Sequence, residues 1–158
     1  MSKAIHGKVV ADTEVPATGD LIFRLSDFRG QIVVLYFYPK DSTPGCTTEG
    51  QDFRDQYNHF RKLKAEVFGV SRDSLKSHEN FKAKQSFPFE LISDADETLC
   101  NQFDVIREKS LYGKKYLGID RSTFVIDKKG VLRHEFRGVK VDGHVAAVLT
   151  EVKKLARG

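Results

Sequence analysis

Two cysteines in 158 residues, Cys46 and Cys100, are too few for a disulfide scaffold. They do not form a Cys-x-x-Cys pair, which argues against a dithiol–disulfide reductase. In a reducing compartment both stay as thiols unless chemistry oxidises them. Long apolar runs are also missing: none approaches the ~18 residues of a membrane-spanning helix, so no membrane association is expected. The opening stretch, MSKAIHGKVVADTEVPATGD, lacks the apolar core of a secretory signal, which points to the cytoplasm. Charge of one sign is never concentrated. The net charge is +4, but lysines and arginines come as singles and pairs with acids between them. A nucleic-acid binder gathers its charge into a patch, so no nucleic-acid partner is expected. Five scattered histidines show no ligand spacing. The DADE stretch at Asp94–Glu97 lacks the other positions of a calcium loop, and YGKKY lacks those of a phosphate loop. No metal and no cofactor are expected.

What remains suits one compact domain spanning residues 1–158, with 40% hydrophobic residues to build its core. Residues Ile32–Tyr38 (IVVLYFY) form an apolar run without alternation, as in a strand buried on both faces. Pro39 ends it. After the turn DSTPG, Phe53, Tyr57 and Phe60 recur at helical spacing, so an amphipathic helix starts near Cys46. LIFRLSDFRG reads as a strand ending in a turn at Gly30. EVFGVS, FELISD and RSTFVID read as further strands. SLKSHENFKAKQ reads as a helix with Leu75, His78 and Phe81 roughly on one side, and DETLCNQF as a short helix. KKG turns into VLRHEF as a hairpin, and GHVAAVLTEVKKLA closes as an amphipathic helix. Strands alternating with helices, then a late hairpin, give an α/β sandwich around a central mixed β-sheet flanked by helices. In such sheets sites lie at the carboxyl ends of strands, where the Cys46 turn falls.

Cys46 is therefore placed in the first turn of a helix. The free N–H groups and partial positive charge there favour thiolate over thiol. Thr43 precedes a proline and is biased to an extended conformation, leaving its hydroxyl free to face the same pocket. Gly45 lets the backbone approach a ligand closely. The same residues also fit a simple helix cap, and Cys46 a small buried hydrophobe.

Pro39-x-x-x-Thr43-x-x-Cys46 resembles the peroxiredoxin signature. The wider run YFYPKDSTPGCTTEGQDFRD is similar to the peroxiredoxin Q, or bacterioferritin comigratory protein, branch. The likeness continues through VFGVSRDSLKSHENF, LISDADETLC and YGKKYLGIDRSTFVID. The resemblance implies a thioredoxin-like fold and reduction of hydrogen peroxide and alkyl hydroperoxides. It casts Cys46 as the nucleophile that becomes a sulfenic acid, Thr43 as a hydrogen-bond partner of the peroxide, and Pro39 as a shield from water. It casts Arg121 as the cation stabilising the thiolate and polarising the peroxide, with Glu49 orienting Arg121. Charge and N–H dipoles can lower the thiol's proton affinity, so no histidine base is needed. Read without the family, Arg121 could as well pair with Asp120, and Glu49 could simply favour the helix start.

The sequence departs from the family at the resolving step. Members that carry a second cysteine place it five positions after the first, here Gln51, or in the next helix, here Lys82. Only Cys100 remains. It reads best as a packing thiol, since pairing with Cys46 needs Cα atoms within about 7 Å and would require local unfolding. The expectation is a one-cysteine, monomeric peroxidase reduced by thioredoxin, glutaredoxin or glutathione. The alternatives are a two-cysteine enzyme with Cys100 resolving, and a peroxide-sensing thiol protein.

Overall fold

The computed structural model describes residues 3–158. Seven strands form one sheet: β1 (Glu14–Ala17), β2 (Leu21–Arg24), β3 (Ile32–Phe37), β4 (Ala65–Ser71), β5 (Glu90–Ser93), β8 (Ser122–Ile126) and β9 (Leu132–Phe136). Their order is β2-β1-β5-β4-β3-β8-β9. β6 (Ile106–Leu111) and β7 (Lys114–Ile119) make a separate two-stranded hairpin. The helices are α1 (Pro44–Lys62), α2 (Leu75–Gln85), α3 (Thr98–Gln102) and α4 (His144–Arg157). The sheet is mixed: β3–β4 and β4–β5 run parallel, while β3–β8, β8–β9 and the two pairings of β1 run antiparallel.

β3 lies near the sheet centre and every residue in it is buried, as its unbroken apolar run requires. Because side chains alternate across a strand, β3 feeds two cores. Val33, Leu35 and Phe37 pack on one face with Leu99, Cys100 and Phe103 of the α3 region. Ile32, Val34, Tyr36 and Tyr38 pack on the other with Cys46, Phe53 and Phe60 of α1, Phe81 of α2, and Val145, Val148, Leu149 and Val152 of α4. α1 fits close to the segment that follows α2 at Gly50, where an added Cβ would run into the Phe87 ring.

The structure refines several expectations. The Leu21–Gly30 stretch is strand only to Arg24. It then turns through a 3-10 helix, Leu25–Phe28, and Gly30 takes a positive φ of 91°. Leu75 opens α2 on the exposed side, at 39%, while His78 and Phe81 are buried. β1 and the β6–β7 hairpin have no counterpart in the sequence reading. Four residues with a proline among them, and strands exposed along most of their length, carry little hydrophobic pattern.

Candidate active site

Tyr38 still donates its N–H to Val70, extending the β3–β4 ladder by one residue. Pro39 has no N–H to continue it. The chain turns through residues 39–43 and enters α1. Thr43 is the N-cap residue, with extended backbone (φ −83°, ψ 155°) as a residue before proline prefers. Pro44, Gly45 and Cys46 form the first turn. Since Pro44 lacks an N–H, Gly45 and Cys46 supply the unpartnered first-turn donors around the sulfur.

Arg121, the residue before β8, reaches across this turn. Its Nη2 donates to Cys46 Sγ at 3.4 Å, and its Nη1 to Glu49 Oε1 at 2.6 Å. Burial opposes the guanidinium's charge, but Glu49 and Cys46 outweigh it and hold its pKa above the ordinary value. Gly45 makes this crossing possible: a Cβ there would sit 3.2 Å from Arg121 Nη2. Arg121 therefore pairs with Glu49, one turn along α1, rather than with its neighbour Asp120.

Glu49 is fully buried. Its Oε1 holds Arg121, while its Oε2 has no hydrogen-bond partner. Burial raises its pKa to about 7 despite the cation. His144, at the start of α4, lies behind it, with Nε2 3.9 Å from Oε2 and 2.8 Å from the Thr123 hydroxyl. Burial, then Arg121, lowers the His144 pKa to about 4, so it is neutral at neutral pH. His144 could not be singled out from residue spacing, because its neighbours in this cluster, Glu49 and Thr123, come from distant segments.

The Thr43 hydroxyl makes no cap hydrogen bond. It donates to the Lys40 carbonyl at 2.8 Å. Its hydrogen is thereby committed and its lone pairs are left to accept. Pro39 is half-buried beside this turn.

Cys100 sits elsewhere. It is fully buried, on the opposite face of the sheet from Cys46. Asp94 accepts hydrogen bonds from the N–H of Leu99 (3.0 Å) and of Cys100 (2.7 Å), which places its charge beside the Cys100 thiol. Burial first, then the Asp94 charge, pushes the thiol's pKa far up. The two positions that could have carried a second cysteine are occupied by side chains bracing α2. Gln51 Nε2 donates to Gln85 Oε1 at 2.9 Å, and Lys82 pairs with Glu90.

Comparison with known proteins decides the family. The AhpC/TSA family matches residues 6–135. Peroxiredoxin Bcp of Xanthomonas campestris is 52% identical over 146 residues, covering 92% of this chain and 91% of that one. Peroxiredoxin Bcp of Bacillus subtilis is 47% identical over 150 residues, covering 95% and 96%. The chain belongs to the AhpC/TSA family, on its peroxiredoxin Q branch. It is a thiol-dependent peroxidase with the thioredoxin-like fold of that branch. Two solved cysteine-to-serine mutants of Xanthomonas campestris peroxiredoxin Q superpose on this peroxiredoxin. Their TM-scores are 0.90 and 0.89, at 48% and 49% identity, covering 98% and 97% of this chain and 99% of each of theirs. The two cysteines replaced in them are spaced as Cys46 and Lys82 are here.

No helix among the described residues is long and apolar enough to cross a membrane. A groove of about 410 Å³ between α1 and α4 is lined by Asp52, Gly143, Leu149 and Lys153 among others, and contains neither Cys46 nor Arg121.

Proposed function

We propose that this peroxiredoxin reduces hydrogen peroxide and alkyl hydroperoxides by a one-cysteine cycle on Cys46. The Cys46 thiolate attacks the terminal oxygen of the hydroperoxide. The S–O bond forms as the O–O bond breaks, leaving Cys46 as sulfenic acid, and the departing alkoxide or hydroxide takes up a proton. An external thiol then condenses with the sulfenic acid, releasing water and leaving a mixed disulfide. A second thiol frees Cys46 and departs as the oxidised reductant. Thioredoxin, glutaredoxin and glutathione all have the required chemistry.

The observation that carries this reading is Arg121 bridging Cys46 and Glu49 at the first turn of α1. The guanidinium offers a fixed positive charge to the thiolate and to the charge that develops on the peroxide oxygens. Glu49 holds the fork in place, and Gly45 gives it room. Thr43 accepts a hydrogen bond from the peroxide O–H, and Pro39 limits water at the loop. A solved structure of a Xanthomonas campestris relative, 51% identical, concerns alkyl peroxide reduction, which supports this substrate class. The single-cysteine part is supported by Gln51 and Lys82 standing where a second cysteine would be, and by the sheet lying between Cys46 and Cys100. A reducing compartment such as the cytoplasm suits the cycle.

The test is steady-state peroxide consumption by Cys100→Ser with glutathione, with a glutathione–glutaredoxin pair, or with a thioredoxin system. Sustained turnover at the wild-type rate with at least one of them supports the cycle. A single turnover followed by arrest with all three would point to a peroxide sensor instead.

A further inference from the structure

The loop between β3 and α1 is held by a buried polar brace that touches neither the thiol nor Arg121. Its centre is Asp41, whose carboxylate is almost wholly enclosed. Oδ1 accepts from the Tyr38 hydroxyl at 2.6 Å. Oδ2 accepts from the Ser77 hydroxyl at 2.8 Å and faces His78 Nδ1 at 2.7 Å. His78 Nε2 lies 2.9 Å from the Ile92 carbonyl, which can only accept, so Nε2 carries a hydrogen. Nδ1 and Oδ2 therefore share one further proton. The backbone N–H of Asp41 donates to Asp73 Oδ2 at 2.9 Å, and the Ser71 hydroxyl donates to the same oxygen.

Asp41, Asp73 and His78 bring their donor atoms within 4.8 Å of one another. Those atoms are already taken by hydrogen bonds, so the cluster serves as a brace rather than an ion site. What it braces is specific. The N–H clamped by Asp73 and the Lys40 carbonyl belong to one rigid peptide plane. That carbonyl is the acceptor of the Thr43 hydroxyl. Ser42, between Asp41 and Thr43, has φ +63°, a left-handed conformation that a non-glycine residue keeps only where its surroundings impose it.

We propose that His78 and Asp73, acting through Asp41, are positioning residues that fix the Lys40–Asp41 peptide and thereby aim the Thr43 lone pairs at the incoming peroxide. The inference rests on the reading of Thr43 as a peroxide contact. The brace reaches the substrate side of the site only: the thiolate side is held separately, by Arg121 and Glu49. Loss of the brace therefore slows peroxide reduction without slowing reactions of Cys46 that do not use Thr43.

The experiment compares two rate constants for each variant, both measured on the full chain. One is reduction of hydrogen peroxide in competition with a haem peroxidase, the other alkylation of Cys46 by iodoacetamide. His78→Gln keeps a donor for Ile92 but withdraws the one facing Asp41, whereas His78→Asn places an amide donor where Nδ1 stood. Expected is a roughly tenfold slower peroxide reaction in His78→Gln, substantial recovery in His78→Asn, and alkylation within about twofold in both, consistent with loss of one buried hydrogen bond to a charged group. Asp73→Leu and Asp73→Asn, at a half-buried position, give the same comparison should His78→Gln fail to fold. Thr43→Val is the reference. Combined with His78→Gln it should be no slower than alone, because both act on one contact. If Thr43→Val is slow and the brace variants are not, or if alkylation falls in step with peroxide reduction, the positioning role is overturned. If Thr43→Val itself reacts at the wild-type rate, the reading of Thr43 fails and the inference with it.

Discussion

Cys46 and Cys100 are both buried, at 2% and 0% exposure, and both lie near the start of a helix. They differ in the charge each meets. Cys46 faces the Arg121 guanidinium at the head of a 19-residue helix. Cys100 lies beside the Asp94 carboxylate, which takes its backbone N–H, at the head of a 5-residue one. A cation stabilises a thiolate and a carboxylate penalises it. Burial alone therefore says little about a thiol's chemistry. The sheet enforces the division, since β3 sends alternate side chains toward one thiol and away from the other.

The sharpest way to break this comparison is to remove each sulfur nucleophile in turn. Cys46→Ser should reduce peroxide consumption to background, while Cys100→Ser should stay within about twofold of wild type in a coupled assay. Equal losses would make the two thiols partners. Next in size is the cation. Arg121→Met keeps much of the volume and removes the charge, and should slow reaction with peroxide by about 10²–10³-fold, the range for a single preorganised electrostatic donor. A slowing under tenfold would leave thiolate stabilisation to the helix end. Stability should separate the sites in the opposite sense. Cys100→Ala leaves a void at a fully buried position, so denaturant unfolding should show a loss of about 1–3 kcal/mol with activity retained.

The smallest effect concerns pH. Glu49 has its pKa raised to about 7 by burial, so the fold holds a proton there that the unfolded chain releases. Its contribution to stability declines as pH rises from the ordinary glutamate value of 4.5 to about 7. His144 has its pKa lowered to about 4, so the unfolded chain binds the extra proton, and stability rises with pH from about 4 to the ordinary histidine value of 6.5. The two slopes oppose one another in the wild type and should nearly cancel between them. His144→Phe should expose the Glu49 slope, with stability falling as pH rises from about 4.5 to 7 in urea titrations. A flat profile in this variant would show that Glu49 is ionised throughout that range in the fold.

Much of this was legible in the sequence, and for identifiable reasons. The apolar run Ile32–Tyr38 announced a strand buried on both faces, and Pro44 announced the extended Thr43 and the helix start at Cys46. Arg121 could not have been matched to Cys46 from residue spacing, since 75 positions separate them. It was legible only through family resemblance. The β6–β7 hairpin was illegible because its strands face solvent along most of their length and lack a period-two pattern. Neither His144 behind Glu49 nor His78 against Asp41 could be read, because each meets its partner through tertiary packing. The Thr43 hydroxyl was expected to be free, but donation to Lys40 depends on a peptide orientation that local sequence does not specify.

The central claim is that Cys46 alone carries the oxidation. Reduced protein treated with one equivalent of hydrogen peroxide in the presence of dimedone, then measured as an intact mass and a peptide map, tests it directly. The account predicts a dimedone adduct on Cys46 with Cys100 still a free thiol. A loss of two hydrogens joining Cys46 to Cys100 would contradict it.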